Sequence, residues 1–268
     1  MRRALLKVPE VELVVIAPDS NRSASARSIT TRRPLWVEEV KFEDGTSGFA
    51  TDGTPVDCVR FAQLGLVEGF TPDLVVSGIN HGCNLGDDIT YSGTVAAALE
   101  GVVLGLPAVA VSQQSQRKEM DYRGGREYDF EAAAAFVGQL VEEVDEESLP
   151  SGTLLNVNVP SGKPTGVEVA RLGKRIYRDE LVLKEQDASR RLFHVYGDDP
   201  DYHHEDGTDL AAIAEGRIAV GIDDERVIGG RADDRSIRRT GERTEARRNR
   251  VRAVIDRNVG IRSRIRHG

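Results

Sequence analysis

Three short apolar runs, each closed by small or turn-forming residues, constrain the fold more than any other feature of the chain. They are ELVVIAP at 12–18, DLVVSG at 73–78 and PAVAVS at 107–112. Runs of this length without polar alternation are the pattern of parallel strands buried on both faces. Helical patterns separate them. Thr54-Pro55-Val56-Asp57 reads as a capping box with proline at the first helical position. Val56, Val59, Ala62 and Leu66 then share one face, which predicts a helix to about residue 68. Residues 130–144 place Phe130, Ala133, Ala134, Val137, Leu140, Val141 and Val144 on a single stripe, an amphipathic helix that must cover a sheet. Leu155, Val157 and Val159 alternate with Asn156 and Asn158 as a further strand, and an irregular β-like pattern to about 200 predicts a hairpin or arm. The sum is an α/β fold, a doubly wound, mostly parallel sheet whose ligands sit at the carboxyl ends of its strands. The loops after residues 17, 77 and 112 are therefore where chemistry is expected.

The loop after the second run reads SGINHGCNLGDDITYSGTV, with Gly78, Gly82, Gly86 and Gly93 and the amides of Asn80 and Asn84. Glycines let backbone approach a ligand, and Ser92-Gly93-Thr94 opens a helix whose free N–H groups and positive dipole end suit a phosphate. A plain helix cap at Ser92 in a turn-rich loop fits the same residues. The loop after the first run, APDSNRSASARS, brings Asp19, Asn21, Arg22 and several hydroxyls to a neighbouring strand end. Neither GxGxxG nor GxxxxGK[ST] is present, so the common dinucleotide and P-loop devices are excluded.

Taken together, these loops resemble the SurE family of 5'-nucleotidases. APDSNRSASARSIT, GTPVDCV at 53–59, SGINHGCNLGDDITYSGTVAAALEG, LNVNVP at 155–160 and GTDLAAIAEGRIAV at 207–220 are similar to its successive signatures, so the likeness covers about residues 11–220. The resemblance implies a Rossmann-like SurE fold and a metal-dependent phosphomonoesterase acting on nucleoside 5'- and 3'-monophosphates. It implies a divalent metal, Mg or Mn, with Ser23 and Asn80 among the ligands, and Ser92, Gly93 and Thr94 receiving phosphate. Asn84 and Gly78 are expected to shape the same pocket. It also implies a homodimer or homotetramer joined partly through an arm at about 165–205.

In the family an aspartate pair follows a first strand, in a segment like ILLTNDDG, and the likeness here begins after it. Both carboxylates are thus expected to be missing, with catalytic residues unassigned. Two neutral donors alone should hold Mg weakly, because anionic ligands supply most of the attraction. Asp87 and Asp88 are read as shaping the loop rather than replacing those ligands. A non-catalytic nucleotide-binding or interaction protein is the alternative reading. Without a first strand the sheet is also expected to expose a strand edge and the product to aggregate.

Charge divides the chain. Residues 1–220 hold 22 basic and 36 acidic side chains, whereas 221–268 hold 14 Arg, no Lys and 8 acids, a change from −14 to +6. The body, residues 1–220, is read as one domain. The tail is read as poorly ordered or weakly helical, its apolar residues scattered among arginines, and as the one place for nucleic-acid contact. Missing start and foreign end together read as a displaced start codon and a change of frame, or as a degenerate gene product. Two cysteines, Cys58 and Cys83, suggest a reducing compartment, and the start MRRALLKVPE fails as a signal peptide, so the expectation is cytoplasmic with no membrane contact. SGTVAAALEGVVLGLPAVAVS at 92–112 imitates a membrane span, but Glu100 and Pro107 argue for a soluble helix, turn and buried strand. His203-His204-Glu205-Asp206 reads as a solvated loop, and Cys83 as a small filler.

Overall fold

The apolar runs become the middle of a nine-stranded sheet. The computed structural model describes residues 1–22, 25–120, 124–143, 149, 152–177, 179–195, 201–224 and 251–256. The sheet is built from β1 (Val11–Pro18), β2 (Val37–Lys41), β3 (Ser47–Thr51), β4 (Leu74–His81), β5 (Ala108–Gln113), β6 (Thr153–Val159), β7 (Val167–Val169), β12 (Ile218–Asp224) and β13 (Val251–Asp256). Their order is β2-β3-β1-β13-β4-β5-β6-β12-β7. The inner ladders from β3 through β6 are parallel, while β2 and β12 pair antiparallel with β3 and β6. Short strands β8 (Arg175–Ile176) and β11 (Asp201–Tyr202) pair with each other. So do β9 (Val182–Gln186) and β10 (Arg191–His194), the hairpin anticipated as an arm, which carries exposed Leu183, Leu192 and Phe193.

Helices cover both faces, and the alternation of side chains along each strand decides which core each residue enters. Leu74 and Val76 of β4, with Val109, Val111, Leu155, Val157 and Val159, pack beneath α4 (Glu131–Glu143) through Ala133, Val137 and Val141. Leu5 of α1 (Arg2–Leu5) joins this core. Val75, Ala108 and Ala110 turn to the opposite face under α3 (Gly93–Val103), and Ile16 meets Cys58 and Ala62 of α2 (Pro55–Gln63). The α2 helix stops at Gln63, short of the expected 68. A fifth helix, α5 (Asp209–Ala214), lies against β12. The stretch that imitates a membrane span is split into α3 and β5 by Gly105, at φ +81°, and Pro107. No helix among the described residues is long and apolar enough to cross a membrane.

Glu100, the charge within that stretch, is buried in α3, and its Oε1 lies 2.7 Å from Nη2 of the half-exposed Arg60 on α2. Removing one partner of a buried pair strands the other, but the solvent at Arg60 screens part of the loss. Arg60→Ala is expected to lower stability by about 1–3 kcal/mol in urea melts, and an unchanged midpoint would show the pair to be neutral.

One expectation is overturned. It concerns the stretch 251–256 of the tail, expected to be poorly ordered or weakly helical, and the expected open edge of the sheet; residues 225–250 and 257–268 of the tail lie outside the described residues. Instead Val251–Asp256 forms β13, parallel to both neighbours and central, with Val254 in register with Val14 of β1 and Val75 of β4. Within VRAVID only Arg252 interrupts the apolar residues, and composition averaged over 48 residues conceals so short a strand. Because β12 runs antiparallel to β6, it ends at the edge of the sheet where β13 begins. Four inter-strand steps, about 19 Å, separate them. The residues between 224 and 251 can span several times that distance.

Candidate active site

The carboxyl ends of β1, β13 and β4 converge on the start of α3. Ser92 accepts a hydrogen bond from the Val95 N–H at 3.2 Å, so its hydroxyl is the helix cap. Gly93 and Thr94 follow as the first helical residues, whose N–H groups have no acceptor inside the helix. Gly93 leaves little room above it. A Cβ there would lie 3.2 Å from Cγ of Pro55, the first residue of α2, and 3.3 Å from the Ser25 hydroxyl. The two helix starts and the loop after β1 therefore meet closely at one corner.

That loop is woven into its surroundings. Asp19 N–H donates to the Thr51 carbonyl, Ala26 N–H to the Tyr91 carbonyl, and Arg22 to the Asp52 carbonyl. The capping box at α2 forms as read, with Thr54 N–H donating to Asp57 at 2.9 Å and Asp57 N–H to the Thr54 hydroxyl at 3.2 Å. Asp57 also receives the Thr30 N–H and hydroxyl, a contact no local pattern announces. Burial works against ionisation of Asp57, but the hydrogen bonds it receives from Thr54 and Thr30 outweigh it and hold its carboxyl below the usual range.

Gly78 and Asn80 lie at the end of β4. Gly78 has φ +125°, and a Cβ on it would collide with the Val111 carbonyl oxygen, so glycine is required for the strand to turn toward the site. The Asn80 side-chain oxygen accepts from the Thr94 hydroxyl at 3.3 Å, and its amide donates to the Gly82 carbonyl at 2.9 Å. The predicted metal donor and the predicted phosphate segment are thus brought together. Ser23, the other predicted metal ligand, lies outside the described residues.

Asn84, expected to shape the pocket, is held from several sides. Its N–H donates to the Asn158 side chain at 2.8 Å, and its carbonyl accepts from the amides of Asn156 and Asn158 at 3.0 Å. Its own amide donates to the Ser112 hydroxyl at 2.7 Å. All four residues are buried, so Asn84 fastens the glycine loop to β5 and β6. Asp209 fastens the next stretch through the N–H groups of Gly86, Gly173 and Leu210, and burial pushes its carboxyl up against the pull of those donors. Asp87 and Asp88, in the 3₁₀ turn at Gly86–Tyr91, hold β8. Asp87 accepts from Arg175 N–H at 3.2 Å, and Asp88 pairs with the Arg175 guanidinium and the Tyr177 hydroxyl at 2.7 Å each. Burial and the Asp88 carboxylate push the Tyr177 hydroxyl up. Cys83 is buried beside Leu85 and Leu210, as a filler is, and His81 stacks on Tyr128 and lies tilted against Phe130.

The donor set at this corner is one of hard oxygens, which suits Mg or Mn better than a thiophilic metal. Within β4, Ser77 is fully buried with a hydroxyl that has no hydrogen-bond partner among the described residues. Among the described residues no three His, Cys, Asp or Glu side chains gather in a metal-binding group. Two acids lie at the ends of the strands flanking the corner, Asp19 after β1 and Asp256 closing β13.

Comparison with known proteins agrees with this geometry. The model of the survival protein SurE family matches residues 2–179. The chain is 50% identical over 222 residues to the 5'-nucleotidase SurE of Rubrobacter xylanophilus, covering 82% of this chain and 83% of that one. It is 45% identical over 223 residues to the protein of the same name from Chloroflexus aggregans, covering 82% and 84%. The crystal structure of the SurE protein from Aquifex aeolicus superposes with a TM-score of 0.63 at 36% identity, over 79% of this chain and 82% of that one. With the helix start, the glycine turn and Asn80 assembled on that shared framework, the chain belongs to the SurE family.

Proposed function

We propose that the chain is a metal-dependent nucleotidase that hydrolyses nucleoside 5'- and 3'-monophosphates to nucleoside and phosphate. The observation that carries this reading is the juxtaposition of Asn80 with the open N-terminus of α3, in a chain that shares half its residues over 222 positions with a named 5'-nucleotidase. The Gly93 and Thr94 N–H groups would receive phosphoryl oxygens, aided by the positive end of the helix. Pro55 and the loop after β1 close the corner and limit the poses the phosphate can take, which favours in-line attack. Asn80 would help seat a divalent cation, Mg or Mn, with Ser23 expected beside it. That cation supplies charge neutralisation at the phosphoryl group and an activated water.

The exposed apolar hairpin β9–β10 supports assembly into a homodimer or homotetramer. The two buried cysteines, which form no disulfide, fit a cytoplasmic protein.

Phosphate release from AMP and GMP with added Mn tests the proposal directly. The full chain is expected to turn over, and Gly93→Val to lower kcat/KM roughly a hundredfold by filling the corner. No release by the parent chain under any divalent metal would overturn the reading.

A further inference from the structure

The turn after β1 is pinned beside the start of α3 by its backbone. Ser25 N–H donates to the Arg22 carbonyl at 3.2 Å, and the Ser25 carbonyl accepts from the Ser28 N–H at 3.2 Å. Ala26 stands at φ +49°, a left-handed conformation that a residue with a Cβ rarely adopts, and its N–H reaches the Tyr91 carbonyl at 3.3 Å. Tyr91 lies two residues before Gly93. With both backbone groups of Ser25 satisfied, its hydroxyl is left over. That oxygen is buried, and it has no hydrogen-bond partner among the described residues. It lies 3.3 Å from where a Cβ on Gly93 would stand, so the bare glycine leaves it beside the first residue of α3. A hydroxyl that served only the fold of its loop would have a partner there. A buried donor without one is costly, and next to a helix start with open N–H groups the fitting partner is an anion.

We propose that Ser25 is a further phosphate-binding residue of this site, its hydroxyl donating to a phosphoryl oxygen held at the N-terminus of α3. The inference rests on reading that helix start as the seat of the phosphate, and it adds a donor from a separate loop. Backbone N–H groups at a helix start point along the helix axis. Ser25 instead comes in on the flank that Gly93 leaves bare, next to Pro55, so a tetrahedral phosphate would be held from two directions. A hydrogen bond to a charged acceptor is stronger than one between neutral groups.

The probe is inorganic phosphate, titrated calorimetrically into the full chain with Mg present and nucleotide absent, beside urea melts. Ser25→Ala is expected to weaken phosphate binding roughly tenfold, the worth of a hydrogen bond to a charged group, and Ser25→Thr to keep most of the affinity. Because the hydroxyl has no partner within the fold, Ser25→Ala should melt at the parent's urea midpoint or slightly above it. Equal phosphate affinity in the parent and Ser25→Ala would overturn the proposal, and so would a parent that binds no phosphate. In AMP hydrolysis Ser25→Ala should raise KM about tenfold and keep kcat within about threefold, since the bond is made in ground state and transition state alike. A fall in kcat at unchanged KM would show that the loop only positions other groups, and would overturn the proposal equally. Phosphate binding that depends on Ser25, in a chain that releases no phosphate from AMP, would sink the proposed function and leave this inference standing. Equal turnover of AMP by the parent and Ser25→Ala would do the reverse.

Discussion

A chain ended after Asp224 should fail to melt cooperatively and should sediment as aggregate. Its sheet would lose β13, the strand that hydrogen-bonds β1 through Val11 to Val15 on one side and β4 through Leu74 to Ser77 on the other. Those two strands do not pair with each other. The remainder is a piece holding β1, β2, β3 and α2 and a piece holding β4 to β7 with β12, touching chiefly where α2 meets α3. Two long inner edges rich in valine, leucine and isoleucine would face water, the arrangement most prone to pairing between chains. The expected loss is comparable with the whole stability of a domain this size, about 5–15 kcal/mol. Circular dichroism melts and sedimentation velocity of the full and shortened chains measure it. A shortened chain that stays monomeric and melts within a few degrees of the parent would show β13 to be dispensable. The aggregation foreseen from sequence thus belongs to the shortened chain, since the full one fills the gap with its own tail.

The contrast between what sequence revealed and what it hid follows the range of the interactions. Local patterns were legible: β1, β5 and β6 lie within one or two residues of their apolar runs, β4 continues three residues past its own, and the Thr54–Asp57 box forms as its spacing implies. The glycine loop also announced itself, because Gly78 meets a backbone oxygen and only a missing Cβ permits that. Long-range pairing left no such mark. Val254 joins Val14 and Val75 across more than 170 residues, and no periodicity links six residues of an arginine-rich tail to a sheet that far upstream. The clasp around Asn84 was hidden for a related reason. That residue's amide in a glycine-rich loop looks like a ligand group until Asn156 and Asn158 are seen to point inward, on a strand face that alternation alone would assign to solvent. The same distance hid the bonds from Thr30 to Asp57.

That inward-facing pair yields the second large effect. Asn158 gives Asn84 both an acceptor for its N–H and a donor for its carbonyl, a reciprocal clasp inside the protein. Asn158→Leu would preserve approximate volume while leaving the buried Asn84 N–H without an acceptor, and Asn156 would remain to serve only the carbonyl. A stranded buried N–H with the loss of two good bonds is expected to lower stability by about 3 kcal/mol. Asn158→Asp should behave differently, keeping the acceptor but turning a second oxygen toward the Asn84 carbonyl. Its carboxyl would be favoured in the protonated form, so the folded pKa would lie above the unfolded value. The variant should therefore be most stable at acid pH and lose that stability as pH rises through the folded pKa. Both changes reach the site, because Asn80 lies four residues before Asn84 on the same loop. A displacement of Asn80 from Thr94 should lower kcat/KM roughly tenfold to a hundredfold under saturating Mn. Melts from pH 5 to 8 beside phosphate-release assays would measure both effects, and an Asn158→Leu variant as stable and as active as the parent would refute the clasp.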